Sequence, residues 1–173
     1  MDIHADLPAP SLPDRVRLVV LYGGQSAEHD VSRVSARHVV AALDRRRYDL
    51  VPVGIDRDGV WHLPEAPADE LGAGDSATGL AVEGASVGPL PVLAGEDRES
   101  GAGGSDGAPT VVLPVLHGPN GEDGTIAGMM ELAGVPYVGA GVLGSSLSMD
   151  KAKAKEVLAA NGIAQARFRV AHE

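Results

Sequence analysis

The sequence contains no cysteine, which excludes a disulfide framework and any cysteine-based metal site. Aromatic residues are also scarce, with three tyrosines, one tryptophan and one phenylalanine among 173 residues. Valine, leucine, isoleucine and alanine must therefore build most of the core. Such a composition is typical of a parallel sheet covered by helices.

Long hydrophobic runs are absent as well. The longest, such as residues 16–22, are far shorter than the roughly 18 residues that a membrane span needs. The start of the chain lacks the basic and apolar stretches of a secretory signal, so we expect a soluble, cytoplasmic protein with a flexible tail at residues 1–15. A net charge of -10 repels phosphate backbones, so nucleic-acid binding is not expected.

The first part of the chain has the pattern of a strand, a glycine turn and a helix. VRLVVLY is apolar and β-branched and runs into Gly23-Gly24, which predicts a buried strand and a tight turn. Val31, Val34 and Val39 recur at helical spacing beyond the turn. The predicted elements here are strands at 16–22, 48–55 and 60–63 and a helix that ends near residue 43.

The pattern weakens between residues 64 and 109. AGEDRESGAGGSDGAP, at 94–109, has the composition of a flexible linker and predicts a disordered insertion. Regular patterns return with the apolar run TVVLPVL. The elements predicted beyond the insertion are strands at 110–116 and 135–138 and helices at 125–133, 143–148 and 150–160.

Strands that alternate with helices predict an α/β fold with an open, mostly parallel sheet flanked by helices. Ligands of such sheets bind beyond the carboxyl ends of the strands. The segments GGQSAE and HG both follow predicted strands, so Glu28 and His117 are expected on the same rim of the sheet.

Each of these side chains has two interpretations. Glu28 can hold the ammonium group of a ligand, or it can simply complement the helix dipole. His117 can donate a hydrogen bond to a small anion, or it can bond to nearby backbone. Lys151 belongs to a predicted helix that is rich in lysine. The lysine side chains are exposed to solvent by default, and only a nearby phosphate group would give Lys151 a binding role.

Three blocks in this order resemble the amino-terminal half of the D-alanine–D-alanine ligases, a family of the ATP-grasp superfamily. They are VVLYGGQSAEHDVSRVSA, VLPVLHGPNGEDGTIAGMMELAGVPYVGAG and SSLSMDKAKAKEVL. The resemblance implies a Rossmann-like, pre-ATP-grasp domain at 16–149 that binds substrate. It also implies that residues 150–173 are the truncated start of the central ATP-grasp domain.

The family uses ATP and Mg²⁺ to join two D-alanines through an acyl phosphate, which supplies peptidoglycan synthesis. By resemblance, Glu28 and Val31 bind the first D-alanine, His117 lies near its carboxyl group and Lys151 contacts ATP. The resemblance also implies a homodimer in the complete enzyme and magnesium ligands in its carboxy-terminal part. We therefore expect this chain to be inactive alone.

Two alternatives remain open at this point. The first alternative is a D-alanine–D-lactate ligase, because this family contains segments similar to EHDVS and GVW. The residues that select the second substrate in that family lie outside this sequence. A non-catalytic α/β binding module belongs to another class of protein. ATP-dependent formation of product would separate the ligases from such a module.

Overall fold

The computed structural model describes residues 13–65, 78–95 and 107–171. Most of the predicted tail at 1–15 and most of the predicted insertion at 94–109 lie outside these described residues. The described part of the chain contains β1 (Val16–Gly23), α1 (His29–Ala42), β2 (Tyr48–Ile55), β3 (Trp61–Leu63), β4 (Ala85–Val87), α2 (Pro89–Ala94), β5 (Thr110–Pro114), α3 (Thr125–Leu132), α4 (Val142–Met149) and α5 (Lys151–Ala160).

The strands form one sheet in the order β4-β3-β2-β1-β5. The central strand β1 pairs in parallel with β2 along its whole length and with β5 on its other edge. The short strands β3 and β4 extend the sheet in antiparallel pairings. The sheet is thus mixed but mostly parallel, which confirms the predicted fold class.

Both faces of β1 are buried, as its continuous apolar run predicts. Val19 and Leu21 pack on one face against residues of α2 and α3, including Val92 and Met130. On the other face, alternate residues of β1 pack against the inward face of α1. They are Leu18, Val20 and Tyr22, which contact Ala36 and Val40 in the second core cluster.

The buried face of α1 differs from the predicted one. Val31, placed by the spacing on the helical apolar face, is 56% exposed. The buried face includes Ser32, Ala36 and Arg37 instead. Polar residues are tolerated there because the Ser32 hydroxyl bonds to two backbone groups and the Arg37 guanidinium donates to the Thr78 carbonyl, at 2.6 Å.

One other prediction about an element is wrong, and two elements lie where no element is predicted. Residues 135–138 do not form a strand, because only Tyr137 makes a bridge, to Val112. The stretch from 64 to 109 contains β4 and α2, which were not predicted. Both are too short for a periodic pattern, and α2 is bounded by proline at its start and by Gly95, with φ of 80°, at its end.

His62 connects the turn after β2 to the start of β4. Its Nε2 is 2.9 Å from Asp56 Oδ2, and its Nδ1 is 3.3 Å from the Gly84 carbonyl oxygen. Two acceptors facing one ring favour the doubly protonated imidazolium. The hydrogen bond to Asp56 raises the pKa of His62 and lowers the pKa of the Asp56 carboxyl.

We expect this pair to stabilise the fold most at about pH 5 to 6. A raised histidine pKa contributes stability that is present below about pH 6.5 and is lost as the pH rises through the folded-state value. The Asp56 contribution persists above about pH 4. Urea unfolding of wild type and His62→Gln across this range measures the effect. A stability difference that does not change between about pH 5 and 8 would contradict the assignment.

Candidate functional site

Two glycines at the carboxyl end of β1 connect this strand to β2 and α1 through hydrogen bonds. Gly23 and Gly24 have φ of 87° and 90°, a region that glycine adopts without strain. The Gly24 N–H donates to the Ile55 carbonyl at 2.7 Å, and the Gly23 N–H donates to the Ser32 hydroxyl at 2.8 Å. The chain therefore turns tightly from the sheet into α1.

The segment after β5 forms the second part of the rim. The Val115 N–H donates to the Leu21 carbonyl at 2.8 Å, which continues the pairing with β1. The Gly118 N–H then donates to the Glu122 carboxylate at 2.8 Å, and Gly118 has φ of 70°. These contacts fold residues 118–122 back on themselves beside the end of the strand.

Asp123 shapes the same loop from its far end. Its carboxylate accepts the N–H groups of Asn120 and Thr125, both at 2.9 Å. These backbone hydrogen bonds hold the pKa of Asp123 below its usual value, so this side chain stays ionised in the folded loop. Asp123 therefore orders the loop that leads into the start of α3.

Three polar side chains of α1, which we call the α1 stripe, face the segment after β5. They are Glu28, Ser32 and Ser35, and their spacing places them on one side of the helix. Ser32 is fully buried, and its hydroxyl donates to the Val115 carbonyl at 2.5 Å while accepting the Gly23 N–H. Ser32 thus joins the carboxyl ends of β1 and β5.

The structure places Glu28 and His117 close to the same loop. Glu28 is the N-cap residue of α1, and its side chain makes no capping hydrogen bond. Glu28 Oε2 lies 2.9 Å from the position that a Cβ atom on Gly118 would occupy, so a larger residue there would displace the Glu28 side chain. The residue before Gly118, His117, is half-buried, and its Nε2 is 3.3 Å from Ser35 Oγ.

A cleft of about 630 Å³ opens between the loop after β5 and α4. Its lining residues include His117, Glu122 and Lys151, the first residue of α5. Glu28 and Val31 do not line this cleft. The structure therefore brings His117 and Lys151 to one cavity, with Glu28 beside the loop that forms its wall and Val31 exposed on α1.

A second cavity, of about 250 Å³, lies on the other side of His117. Its walls are mainly apolar, with Ile55, Trp61 and Met129, and the backbone of Gly23 and Gly24 forms its floor. His117 contributes to both cavities, so a change in its ring orientation would alter both.

The sequence patterns do not predict the contacts that Ser35 and Glu122 make in the structure. Ser35 lies seven residues after Glu28, and this spacing is the signal that places both on one helical face. The carboxylate of Glu122 accepts the Gly118 N–H across a short turn. No short-range pattern predicts that contact, because it depends on the turn between the two residues.

Neither metal ligands nor a membrane segment can be identified in the described part of the chain. No three acidic or histidine side chains converge there in a way that could hold a metal ion. No helix among residues 13–65, 78–95 and 107–171 combines the length and the apolar character needed to cross a membrane.

Comparison with known proteins gives one consistent family. The family description "D-ala D-ala ligase N-terminus" matches residues 17–140. The chain is 46% identical over 157 residues to D-alanine--D-alanine ligase A of Mesorhizobium japonicum, a match that covers 90% of this chain and 43% of that protein. It is also 46% identical over 156 residues to the D-alanine--D-alanine ligase of Mycolicibacterium vanbaalenii, covering 86% and 42%.

Solved structures agree with these relatives. The D-alanine-D-alanine ligase of Coxiella burnetii superposes with a TM-score of 0.62 at 31% identity, over 87% of this chain and 42% of that one. The VanG D-Ala:D-Ser ligase of Enterococcus faecalis gives a TM-score of 0.60 at 28% identity, over 86% and 42%. The chain thus spans less than half the length of the relatives described here.

Proposed function

The chain belongs to the D-alanine–D-alanine ligase family, and we propose that it forms the amino-terminal, substrate-binding part of an enzyme that joins two D-alanines with ATP. In this proposal, residues 16–149 are the substrate-binding domain, and residues 150–173 begin the central ATP-grasp domain. The complete enzyme acts in the cytoplasm as a homodimer and supplies the dipeptide for peptidoglycan synthesis.

The observation that supports this function most is the approach of Glu28 to Gly118 beside His117. A D-alanine zwitterion carries an ammonium group and a carboxylate a few ångströms apart, so its pocket needs one anionic and one hydrogen-bond-donating side chain. Glu28 supplies the anionic group for the ammonium, and His117 supplies a donor for the carboxyl group. Val31, one turn after Glu28, provides apolar surface for the substrate methyl group.

Lys151 serves the other substrate. Lys151 lines the cleft that His117 also lines, so its ammonium is available to a phosphate group of ATP placed there. Magnesium does not fit the described residues, because no set of carboxylates converges among them. We therefore assign the magnesium ligands to the part of the ligase that follows this chain in its relatives.

His117 has a further part in the chemistry. The first D-alanine carboxylate attacks the γ-phosphoryl group of ATP to give an acyl phosphate and ADP, and the deprotonated amine of the second D-alanine then attacks the carbonyl carbon of the acyl phosphate. The carbonyl oxygen gains negative charge as the tetrahedral intermediate forms, and loss of phosphate yields the dipeptide. A histidine N–H directed at that oxygen stabilises the intermediate.

A second candidate differs only in the second substrate. The likeness to the D-Ala:D-Ser ligase of Enterococcus faecalis favours D-serine as an alternative nucleophile. D-Lactate is the further alternative raised by the sequence. Glu28 and His117 would keep their roles in each case, because all three reactions begin with the same D-alanine.

The test is a hybrid ligase, made by joining this chain to the part of the Mesorhizobium japonicum relative that follows its matched segment. We expect the purified hybrid to form D-alanyl-D-alanine and to release phosphate in the presence of ATP and Mg²⁺. D-Serine and D-lactate, offered in place of excess D-alanine, identify the preferred nucleophile. The isolated chain is the control and should show neither turnover nor measurable ATP binding by calorimetry, because it lacks most of the groups that position the phosphates.

A folded hybrid that binds ATP but makes no dipeptide would contradict the proposal and favour a non-catalytic binding module. Circular dichroism and a cooperative thermal transition establish that the hybrid is folded. Turnover by the isolated chain would show that the nucleotide site lies elsewhere.

A further inference from the structure

The α1 stripe sets the distance between α1 and the segment that carries His117. Ser32 holds the ends of β1 and β5 against the helix through two hydrogen bonds, at 2.8 Å to Gly23 and 2.5 Å to Val115. Ser35 lies one turn further along α1, and His117 lies two residues beyond Val115. The two hydrogen bonds of Ser32 therefore hold Ser35 and His117 within reach of each other.

Ser35 Oγ and His117 Nε2 share one hydrogen bond, and the tautomer of the ring decides which of the two atoms donates. His117 Nε2, at 3.3 Å, is the only hydrogen-bond partner of Ser35 Oγ among residues 13–65, 78–95 and 107–171. A neutral imidazole has one N–H group and one acceptor nitrogen. A hydroxyl that donates to Nε2 therefore leaves the ring proton on Nδ1.

We infer that Ser35 is a positioning residue: its hydroxyl donates to Nε2 of His117 and keeps Nδ1 as the donor that meets the carboxyl group of an amino-acid substrate. The substrate in this statement rests on the proposed function, whereas the pairing and the tautomer do not. Without Ser35 the ring can exchange tautomers and rotate between the two cavities that it borders.

The tautomer can be measured on the 173-residue chain itself. Long-range ¹H–¹⁵N correlation spectra at about pH 8 distinguish the two ring nitrogens. The signals of His117 are assigned from their loss in His117→Gln. We expect the Nδ1–H form to predominate in wild type, to lose that predominance in Ser35→Ala and to be retained in Ser35→Thr, which keeps the hydroxyl.

Ser86→Ala is the matched control, because it removes an exposed hydroxyl from β4. This variant should leave the His117 spectrum unchanged. A predominant Nε2–H form in wild type, or the same tautomer in wild type and Ser35→Ala, would overturn the inference. A purely structural role for Ser35 predicts a lower unfolding midpoint with no change of tautomer.

Kinetics of the hybrid ligase test the link to substrate binding. Loss of one neutral hydrogen bond that orients a ligand group should lower kcat/KM for the first D-alanine about threefold to tenfold in Ser35→Ala. We expect most of this loss in KM and expect Ser35→Thr to restore it. An inactive hybrid would count against the proposed function, while the spectra would still decide the pairing. A changed tautomer with unchanged kinetics would overturn the positioning role.

Discussion

Replacing Glu28 with glutamine in the hybrid ligase should raise KM for the first D-alanine roughly tenfold to a hundredfold. A neutral amide has nearly the shape of the carboxylate but cannot pair with the substrate ammonium. Charge-assisted hydrogen bonds contribute about 1.5–3 kcal/mol, and this range sets the expected factor. Initial rates measured against D-alanine concentration, with ATP saturating, give the change directly.

The matched control for this substitution is Glu83→Gln. Glu83 is also an exposed carboxylate, but it lies just before β4 and is not among the atoms close to Gly118. Its replacement should leave KM and kcat unchanged. If Glu28→Gln behaves in the same way as Glu83→Gln, then Glu28 acts only on the dipole of α1 and the ammonium of D-alanine binds elsewhere.

The second large effect is expected from Gly23→Ala, which should destabilise the chain by about 2–4 kcal/mol. A Cβ atom at this position would lie 2.3 Å from the Ile55 carbonyl oxygen, and φ is 87°. The backbone must therefore shift away from β2, which weakens the hydrogen bond that Gly24 donates to Ile55. Urea unfolding followed by circular dichroism measures the change in free energy of unfolding.

Gly134→Ala separates the two causes of this destabilisation. Gly134 follows α3 with φ of 66°, and a Cβ atom there would meet nothing within 4 Å. This variant should carry only the cost of a left-handed backbone, about 1–2 kcal/mol. Equal destabilisation by the two substitutions would show that the clash with Ile55 is relieved at no cost.

The strands of this fold are predictable from the sequence because their signals are local. The bounds of β2 agree with the prediction, and β1 extends it by one residue, since continuous apolar runs between turn residues produce both strands. The buried face of α1 is not predictable in this way. Its polar members are satisfied by backbone groups from distant segments, such as Val115 for Ser32 and Thr78 for Arg37.

The candidate site is likewise predictable from the sequence only in part. The strand ends and their glycines indicate that Glu28 and His117 lie on one rim, and Glu28 does lie beside Gly118. The pairing of Ser35 with His117 depends on how closely α1 packs against the end of β5. That distance is fixed by tertiary hydrogen bonds, so the sequence indicates which residues are available but not which of them meet.

The order of strands in the sheet has a consequence for how chain length can vary. The two halves of the rim follow β1 and β5, which are neighbours in the sheet although the chain between them also forms β2, β3 and β4. Residues added or removed between α2 and β5 change only a connection whose ends are held by the core packing of α2 and by the strand pairing of β5. Loop-closure entropy costs about 0.6 kcal/mol for each doubling of such a connection. Insertions and deletions can therefore accumulate there during evolution while the pair of rim segments stays in register.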